Sequence, residues 1–112
     1  MIDLRSAKAI YLYPGDTDMR LGIFGLIRKI KDPVRDSAYV FCGKKRMTLK
    51  ILFYQGSTIW LCQKRLFRGK FTWPSNGEVT SIDEEMLRFL VNGTDKINSI
   101  ELEGKEIKYS LY

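Results

Sequence analysis

Apolar and polar residues alternate in short stretches along the chain, and turn-forming residues separate these stretches. Such period-two alternation, in segments rich in β-branched and aromatic residues, predicts strands. The predicted strands are 8–13 (KAIYLY), 37–43 (SAYVFCG), 47–54 (MTLKILFY), 58–65 (TIWLCQKR) and 67–74 (FRGKFTWP). We therefore expect an antiparallel meander of about five strands. The C-terminal stretch 99–112 reads as a further hairpin around Glu103-Gly104.

The connection between the third and fourth predicted strands sets their register. Gly56 can adopt the positive φ that a tight turn needs, and a two-residue turn segregates apolar from polar side chains best. One face then carries Met47, Leu49, Ile51 and Phe53 beside Trp60 and Cys62, and the other carries Lys50, Leu52 and Tyr54 beside Ile59, Leu61, Gln63 and Arg65. A three-residue turn would instead place Trp60 beside Lys50 and Tyr54.

Two segments have the 3.6-residue period of helices. In MRLGIFGLIRKIKD (19–32), the residues Ile23, Leu26, Ile27 and Ile30 share one face. Asp16 or Thr17 is expected to cap this helix, and its glycines, Gly22 and Gly25, are expected to allow close approach of a strand or of a partner's backbone.

The second predicted helix is SIDEEMLRFLVNG (81–93), with Ser81 and Glu84 as a capping box and Asn92-Gly93 as its end. Together the elements predict one α+β domain over residues 1–112, with both helices packed on one face of the sheet.

Composition supports a folded domain. The 112 residues are 45% apolar and 12% aromatic, which is typical of a globule with a single core. No apolar run approaches the roughly 20 residues that span a bilayer, and the N-terminus does not resemble a signal peptide. Two cysteines, Cys42 and Cys62, are too few for a disulfide framework, so we expect buried thiols and a cytoplasmic location.

The chain contains no histidine, and this restricts its chemistry. Ser-His-Asp and Cys-His catalysis within the chain are excluded, and two cysteines cannot complete a four-ligand zinc site. Asp16 and Asp18 fall at one predicted helix start and the acids 83–85 in the first turn of the other, where carboxylates complement the helix dipole. We therefore expect no enzymatic activity, no metal and no cofactor.

Charge is concentrated in the middle of the chain. Residues 37–77 contain eight basic residues and no acidic ones, whereas residues 78–112 contain eight acidic and four basic ones. Such a segment predicts a polyanion or an acidic protein as partner, although a solvated sheet face would also be basic. The candidate phosphate contacts are Lys44, Lys45, Arg46, Lys50, Lys64, Arg65, Arg68 and Lys70. Tyr54 is the candidate for stacking on a base, whereas Trp60 and Trp73 are expected in the core.

Two blocks of the sequence resemble a known family. TDMRLGIFGL (17–26) and YVFCGKKRMTLKILFYQGSTIWLCQKRLFRGKFTWP (39–74) are similar to the TnpB accessory proteins of the insertion sequence 66 family. The matching positions include Asp18, Arg20, Gly22, Gly25, Gly56, Gly69, Trp73 and Pro74. Thr48, Gln55 and Phe67 depart from the family pattern, and the C-terminal segment 99–112 lies outside it.

The resemblance implies an accessory role in the transposition of a bacterial insertion sequence, in which a separate transposase cuts the strands. It implies DNA at the element's ends and the transposase as partners. No helix-turn-helix or zinc finger is present, so DNA contact is expected to be led by the backbone. The alternative is an adaptor that docks on the transposase without binding nucleic acid.

Overall fold

The computed structural model describes residues 4–92. A short 3-10 turn, Leu4–Ser6, precedes five strands and two helices. The strands are β1 (Ala9–Leu12), β2 (Ser37–Cys42), β3 (Thr48–Gln55), β4 (Thr58–Arg65) and β5 (Thr80–Ile82), and the helices are α1 (Ile23–Ile30) and α2 (Glu84–Val91). The predicted C-terminal hairpin lies outside the described residues.

The five strands form a single mixed sheet in the order β4-β3-β2-β1-β5. The β2–β3, β3–β4 and β1–β5 pairs are antiparallel, whereas β1 and β2 are parallel, with Ala9 opposite Ser37 and Leu12 opposite Val40. A parallel pair requires a crossover connection, and α1 supplies it. The predicted α+β class is confirmed, but the meander is limited to β2, β3 and β4.

The segment 67–74, predicted as a strand, is irregular. Two of its apolar residues, Phe71 and Trp73, are nevertheless buried against the sheet, whereas Phe67 is exposed. Gly69 has a φ of 75°, which breaks an extended run, and the Phe71 amide donates to the Arg46 carbonyl at 2.7 Å rather than to a strand. The fifth strand is instead β5, which pairs with β1 through Ile10 and Ile82.

The turn between β3 and β4 has the predicted two residues, because Gln55 pairs with Thr58. Gly56 has a φ of 57°, the left-handed conformation that such a turn needs. The predicted register is confirmed, with Phe53 opposite Trp60 and Ile51 opposite Cys62. The expectation that Trp60 belongs to the core is wrong: its side chain is 41% exposed, since β4 is an edge strand.

The helices pack on opposite faces of the sheet, so the one-face arrangement is wrong. Leu26 and Ile30 of α1 join a cluster with Tyr39, Phe41 and Leu52. The buried residues of α2 join a second cluster with the alternate positions of the same strands: Ile10, Leu12, Ala38, Val40, Cys42, Leu49, Ile51 and Phe53. The reason lies in β2, which is buried at all six positions and therefore needs cover on both faces.

Both helices begin later than predicted. The N-cap of α1 is Gly22, which makes no side-chain capping bond, so the expectation that Asp16 or Thr17 caps this helix is wrong. The expected approach of a strand at the glycines is not found within residues 4–92, and the approach of a partner's backbone stays a prediction. A Cβ on Gly22 would meet nothing within 4 Å, and one on Gly25 would meet the Leu21 side chain at 2.7 Å rather than a strand.

Asp83 caps α2, because its Oδ1 accepts a hydrogen bond from the Met86 amide at 2.7 Å. The predicted capping box is therefore wrong, since Ser81 lies in β5 opposite Tyr11. The acids Glu84 and Glu85 do occupy the first turn of α2, as expected from the helix dipole. No helix in the described part of the chain is long and apolar enough to cross a membrane.

Replacement of Leu26 by alanine tests the packing of α1. Leu26 is fully buried, so Leu26→Ala should lower the free energy of unfolding by about 2–5 kcal/mol. Phe24→Ala on the same helix is the control, because Phe24 is 75% exposed and its loss should change the free energy by less than about 0.5 kcal/mol. Urea denaturation measures both. Equal effects would contradict the assigned orientation of α1.

Candidate nucleic-acid interface

The eight basic residues of the middle segment divide into two groups. Lys50 and Lys64 are buried, at 8% and 7% exposure, and the Arg46 side chain is 16% exposed. The remaining candidates are exposed: Lys44, Lys45, Arg65, Arg68 and Lys70. The sequence therefore identified the basic segment, but three of its cations are largely enclosed by the protein.

Arg46 links the β2–β3 turn to the loop after β1. Its guanidinium donates to the carbonyls of Gly15 at 2.8 Å and Gly43 at 3.2 Å, and it forms an ion pair with Asp16 at 3.1 Å. Charged donors make the stronger hydrogen bonds in proteins. Arg46 thus holds two loops together rather than facing a ligand.

Lys50 has a comparable role on the α1 face of the sheet. Its ammonium donates to the Leu21 carbonyl at 2.7 Å, one residue before the N-cap of α1. The bond fixes the entry to the helix, and the 8% exposure of Lys50 keeps it from bulk solvent. Lys50 therefore does not present its charge to an outside phosphate.

Lys64 lies on the opposite face of the sheet, where its strand partner is Leu49. Burial disfavours the ammonium form and lowers the pKa of Lys64 from its ordinary value of 10.5 to about 8. This environment is that of a lysine packed within the fold, and it separates Lys64 from the exposed group.

The β2–β3 connection displays two of the exposed lysines. The Arg46 amide donates to the Gly43 carbonyl at 2.9 Å, which makes residues 43–46 a β-turn with Lys44 and Lys45 at its centre. Central turn positions project outward, so both ammonium groups reach solvent. Arg65 joins them from β4, because it pairs with Thr48 at the start of β3.

A cleft of about 310 Å³ lies between this turn and the loop after β1. Lys44, Lys45 and Arg65 line it, together with Thr17, Asp18, Met19, Gly43, Met47 and Thr48. Arg65 donates to the Thr48 hydroxyl at 3.2 Å, which orients its guanidinium at the end of the sheet. The cleft is thus the place where the two resembling blocks of the sequence meet.

Asp16 and Asp18 are both paired with arginine. Asp18 receives three side-chain hydrogen bonds from Arg20, at 2.8–3.2 Å, and these lower the pKa of its carboxyl to about 2. Asp16 is paired with Arg46. Neither acid caps a helix. Within residues 4–92, no group of three or more acidic or cysteine side chains could hold a metal ion.

Tyr54, the candidate for stacking on a base, lies apart from the basic end. Tyr54 pairs with Ser37, six residues along β3 from Thr48, which corresponds to about 20 Å. Its ring already faces the Arg35 guanidinium at 5.9 Å, a partner that sequence reasoning missed. Trp73 is buried as expected and donates to the Tyr13 carbonyl at 2.9 Å. The solvent exposure of each aromatic side chain would have distinguished a surface role from a core role. The alternation of apolar and polar residues does not give that exposure.

The remaining positions of the resemblance are also structural. Gly56 and Gly69 adopt positive φ, and the Pro74 carbonyl accepts a hydrogen bond from the Gly15 amide at 2.8 Å. With Trp73 and Pro74 both bound to the loop after β1, the end of the second block is held against the residues that lead into the first block.

Comparison with known proteins finds a family whose match includes both blocks. A family model described as IS66 Orf2-like protein matches residues 8–100. The chain belongs to the IS66 Orf2-like family. It is also 33% identical over 92 residues to the uncharacterized protein y4hO of Sinorhizobium fredii, an alignment that covers 77% of this chain and 80% of that protein. No solved structure gives a significant match. Membership of the IS66 family supports an accessory role in transposition and an association with the element's machinery.

Lys50→Met tests the bond to the Leu21 carbonyl. The substitution keeps the apolar stem of the side chain but removes the charged donor, so the free energy of unfolding should fall by about 1–3 kcal/mol. Cleavage by trypsin after the exposed Arg20 should become faster, because the loop loses its tether. Lys44→Met removes an exposed lysine and should leave both stability and cleavage unchanged. Unchanged cleavage in Lys50→Met would refute the tether.

The buried position of Lys64 predicts a pH dependence of stability. Because the pKa in the folded protein is about 8 and the ordinary value is 10.5, the unfolded chain binds more protons between these values. Stability contributed by this site should therefore rise as the pH increases from about 7.5 to 10. Urea denaturation of the wild type and of Lys64→Met should show that the variant lacks this rise, whereas Lys45→Met retains it. A parallel pH profile for Lys64→Met would contradict the lowered pKa.

Proposed function

We propose that this IS66 family protein is a non-catalytic accessory factor that contacts the DNA backbone through one basic end of its sheet. The observation that supports the proposal is the group of exposed cations formed by Lys44, Lys45 and Arg65. Among residues 4–92, no carboxylate forms an ion pair with any of the three. Their charge is available to a partner, which is the condition for attracting phosphates.

The turn that carries the lysines is held in place. Arg46 connects it to the Gly15 carbonyl, and the Gly43 amide bonds the Thr48 carbonyl at 2.9 Å. A turn with a fixed backbone loses less conformational freedom on binding than a mobile one, so the placement of the lysines on this turn favours contact with phosphates. Arg68 and Lys70 extend the basic surface into the segment that follows β4.

The non-catalytic part of the proposal rests on the acidic residues. Asp16 and Asp18 are each bound to an arginine, and such pairing opposes the binding of a catalytic metal ion. Strand cleavage is therefore assigned to the separate transposase that the family resemblance implies. Incubation of the wild type with plasmid DNA and Mg²⁺ or Mn²⁺ should leave the DNA intact; metal-dependent nicking that Asp16→Asn, Asp18→Asn abolishes would contradict this assignment.

A second candidate function is a protein adaptor that docks on the transposase. It is favoured by Phe67, which is 78% exposed immediately beside the basic residue Arg68. An exposed aromatic next to a cation is typical of protein–protein contact sites. Phe67→Ser would separate the two functions, since it should weaken adaptor binding and leave DNA affinity within about twofold.

The DNA contact is tested with a double variant, Lys44→Gln, Lys45→Gln. Fluorescence anisotropy with labelled duplex from the element's end and with unrelated duplex, at about 50 and 200 mM salt, measures the affinity. Three to five phosphate contacts should give a log–log salt slope of about −3 to −5 for the wild type. The double variant should bind about 10-fold or more weakly, with a slope smaller in magnitude by about 2.

The matched control is Lys29→Gln, Lys31→Gln, which removes the same charge from exposed positions at the end of α1. These lysines lie toward the opposite end of the sheet, so the control should bind as the wild type does. Equal losses of DNA affinity in both double variants would mean that the net charge of the protein, and not the position of Lys44 and Lys45, determines binding. Absence of wild-type binding at 50 mM salt would remove the DNA contact and leave the adaptor.

A further inference from the structure

We propose that the cleft between the loop after β1 and the β2–β3 turn seats one phosphate group, with the Thr17 hydroxyl as its neutral hydrogen-bond donor. The inference deepens the proposed function, on which it rests for the identity of the ligand as a nucleic-acid phosphate. One phosphate of the nucleic acid would be held at a defined position in the basic end of the sheet, in addition to the general attraction of positive charge for DNA.

The Thr17 hydroxyl is the unusual feature of the cleft. Thr17 is 3% exposed, and its oxygen has no hydrogen-bond partner within the described residues. Buried hydroxyl groups in proteins are almost always bonded, so such a group requires an explanation. Thr17 lines the cleft, and rotation of its side chain would bring the hydroxyl to a ligand oxygen seated there, which would supply the acceptor that the protein does not.

The charges of the cleft favour an anion. Lys44, Lys45 and Arg65 line it, and Asp18 is the one carboxylate among its lining residues. The Arg20 guanidinium is bonded to the Asp18 carboxylate, with the closest contact at 2.8 Å, and its positive charge offsets that carboxylate. The volume of about 310 Å³ is roughly ten times the share of one water molecule in the liquid, which leaves room for a phosphate group and bridging waters.

The walls of the cleft are held by backbone hydrogen bonds. The Thr17 amide donates to the Cys42 carbonyl at 2.9 Å, which fixes the loop against the end of β2. The Gly43 amide donates to the Thr48 carbonyl across the turn, also at 2.9 Å. The backbone of Thr17 and that of the turn carrying the two lysines are therefore both fixed around a preformed space, which reduces the ordering that binding requires.

Thr17→Val and Thr17→Ser test the hydroxyl. Valine has nearly the same shape but no donor, so Thr17→Val should weaken binding of a labelled 15-base-pair duplex about 10-fold while the melting temperature stays equal or rises. Thr17→Ser retains the donor and should bind within about twofold of the wild type. Thr58→Val, at the exposed end of β4, is the matched control and should change neither property.

Titration with inorganic phosphate supplies a second measurement that does not need DNA. Amide resonances of Thr17, Lys44, Lys45 and Thr48 should shift together in the wild type and in Thr17→Ser, but not in Thr17→Val. The inference would be overturned if Thr17→Val bound duplex with wild-type affinity and showed the same phosphate-induced amide shifts as the wild type. If the wild type fails to bind duplex, the proposed DNA contact fails, and the phosphate titration alone then decides whether the cleft is an anion site.

Discussion

Three side-chain hydrogen bonds to main-chain carbonyls hold the irregular segment between β1 and α1, and the remaining structure depends on them. Trp73 donates to the Tyr13 carbonyl, Arg46 to that of Gly15 and Lys50 to that of Leu21. A segment without regular structure cannot satisfy its own polar groups, and leaving them unpaired near a core is costly. The donors come from three separate places in the second resembling block, so the loop, the turn and the segment after β4 are positioned together.

This constraint changes how the basic composition is understood. Part of the positive charge in residues 37–77 serves the fold, since Arg46 and Lys50 bind carbonyls and Lys64 is buried. The cations left at the surface are therefore fewer than the sequence indicates, but they are better defined in position. Arg46 connects the two groups, because its own side chain is only 16% exposed while the turn that it anchors displays Lys44 and Lys45.

The elements that could be predicted from sequence are those determined by neighbouring residues. The β3–β4 hairpin followed from Gly56 and from the alternation that places Phe53 beside Trp60. The parallel β1–β2 pair and the placement of the helices on opposite faces depend on how distant segments are arranged, which local periodicity does not encode. In the site, alternation assigned Lys50 and Lys64 to faces of the sheet. It could not show that Lys50 meets the Leu21 carbonyl, or that Thr17 lies at a cleft, since both depend on tertiary packing.

The position of β1 between β2 and β5 has a consequence for the order of folding. The hairpins β2–β3 and β3–β4 join residues that are close in sequence, and they can form early. β1 instead pairs with Ser37 on one side and with Thr80–Ile82 on the other, so both of its neighbours are distant in the chain. On the ribosome β1 is made before the other four strands but is completed last, and until α2 emerges its apolar residues Ile10 and Leu12 lack their final cover. Chaperone contact during synthesis is therefore expected to concentrate at β1 rather than at the hairpins, which fold first.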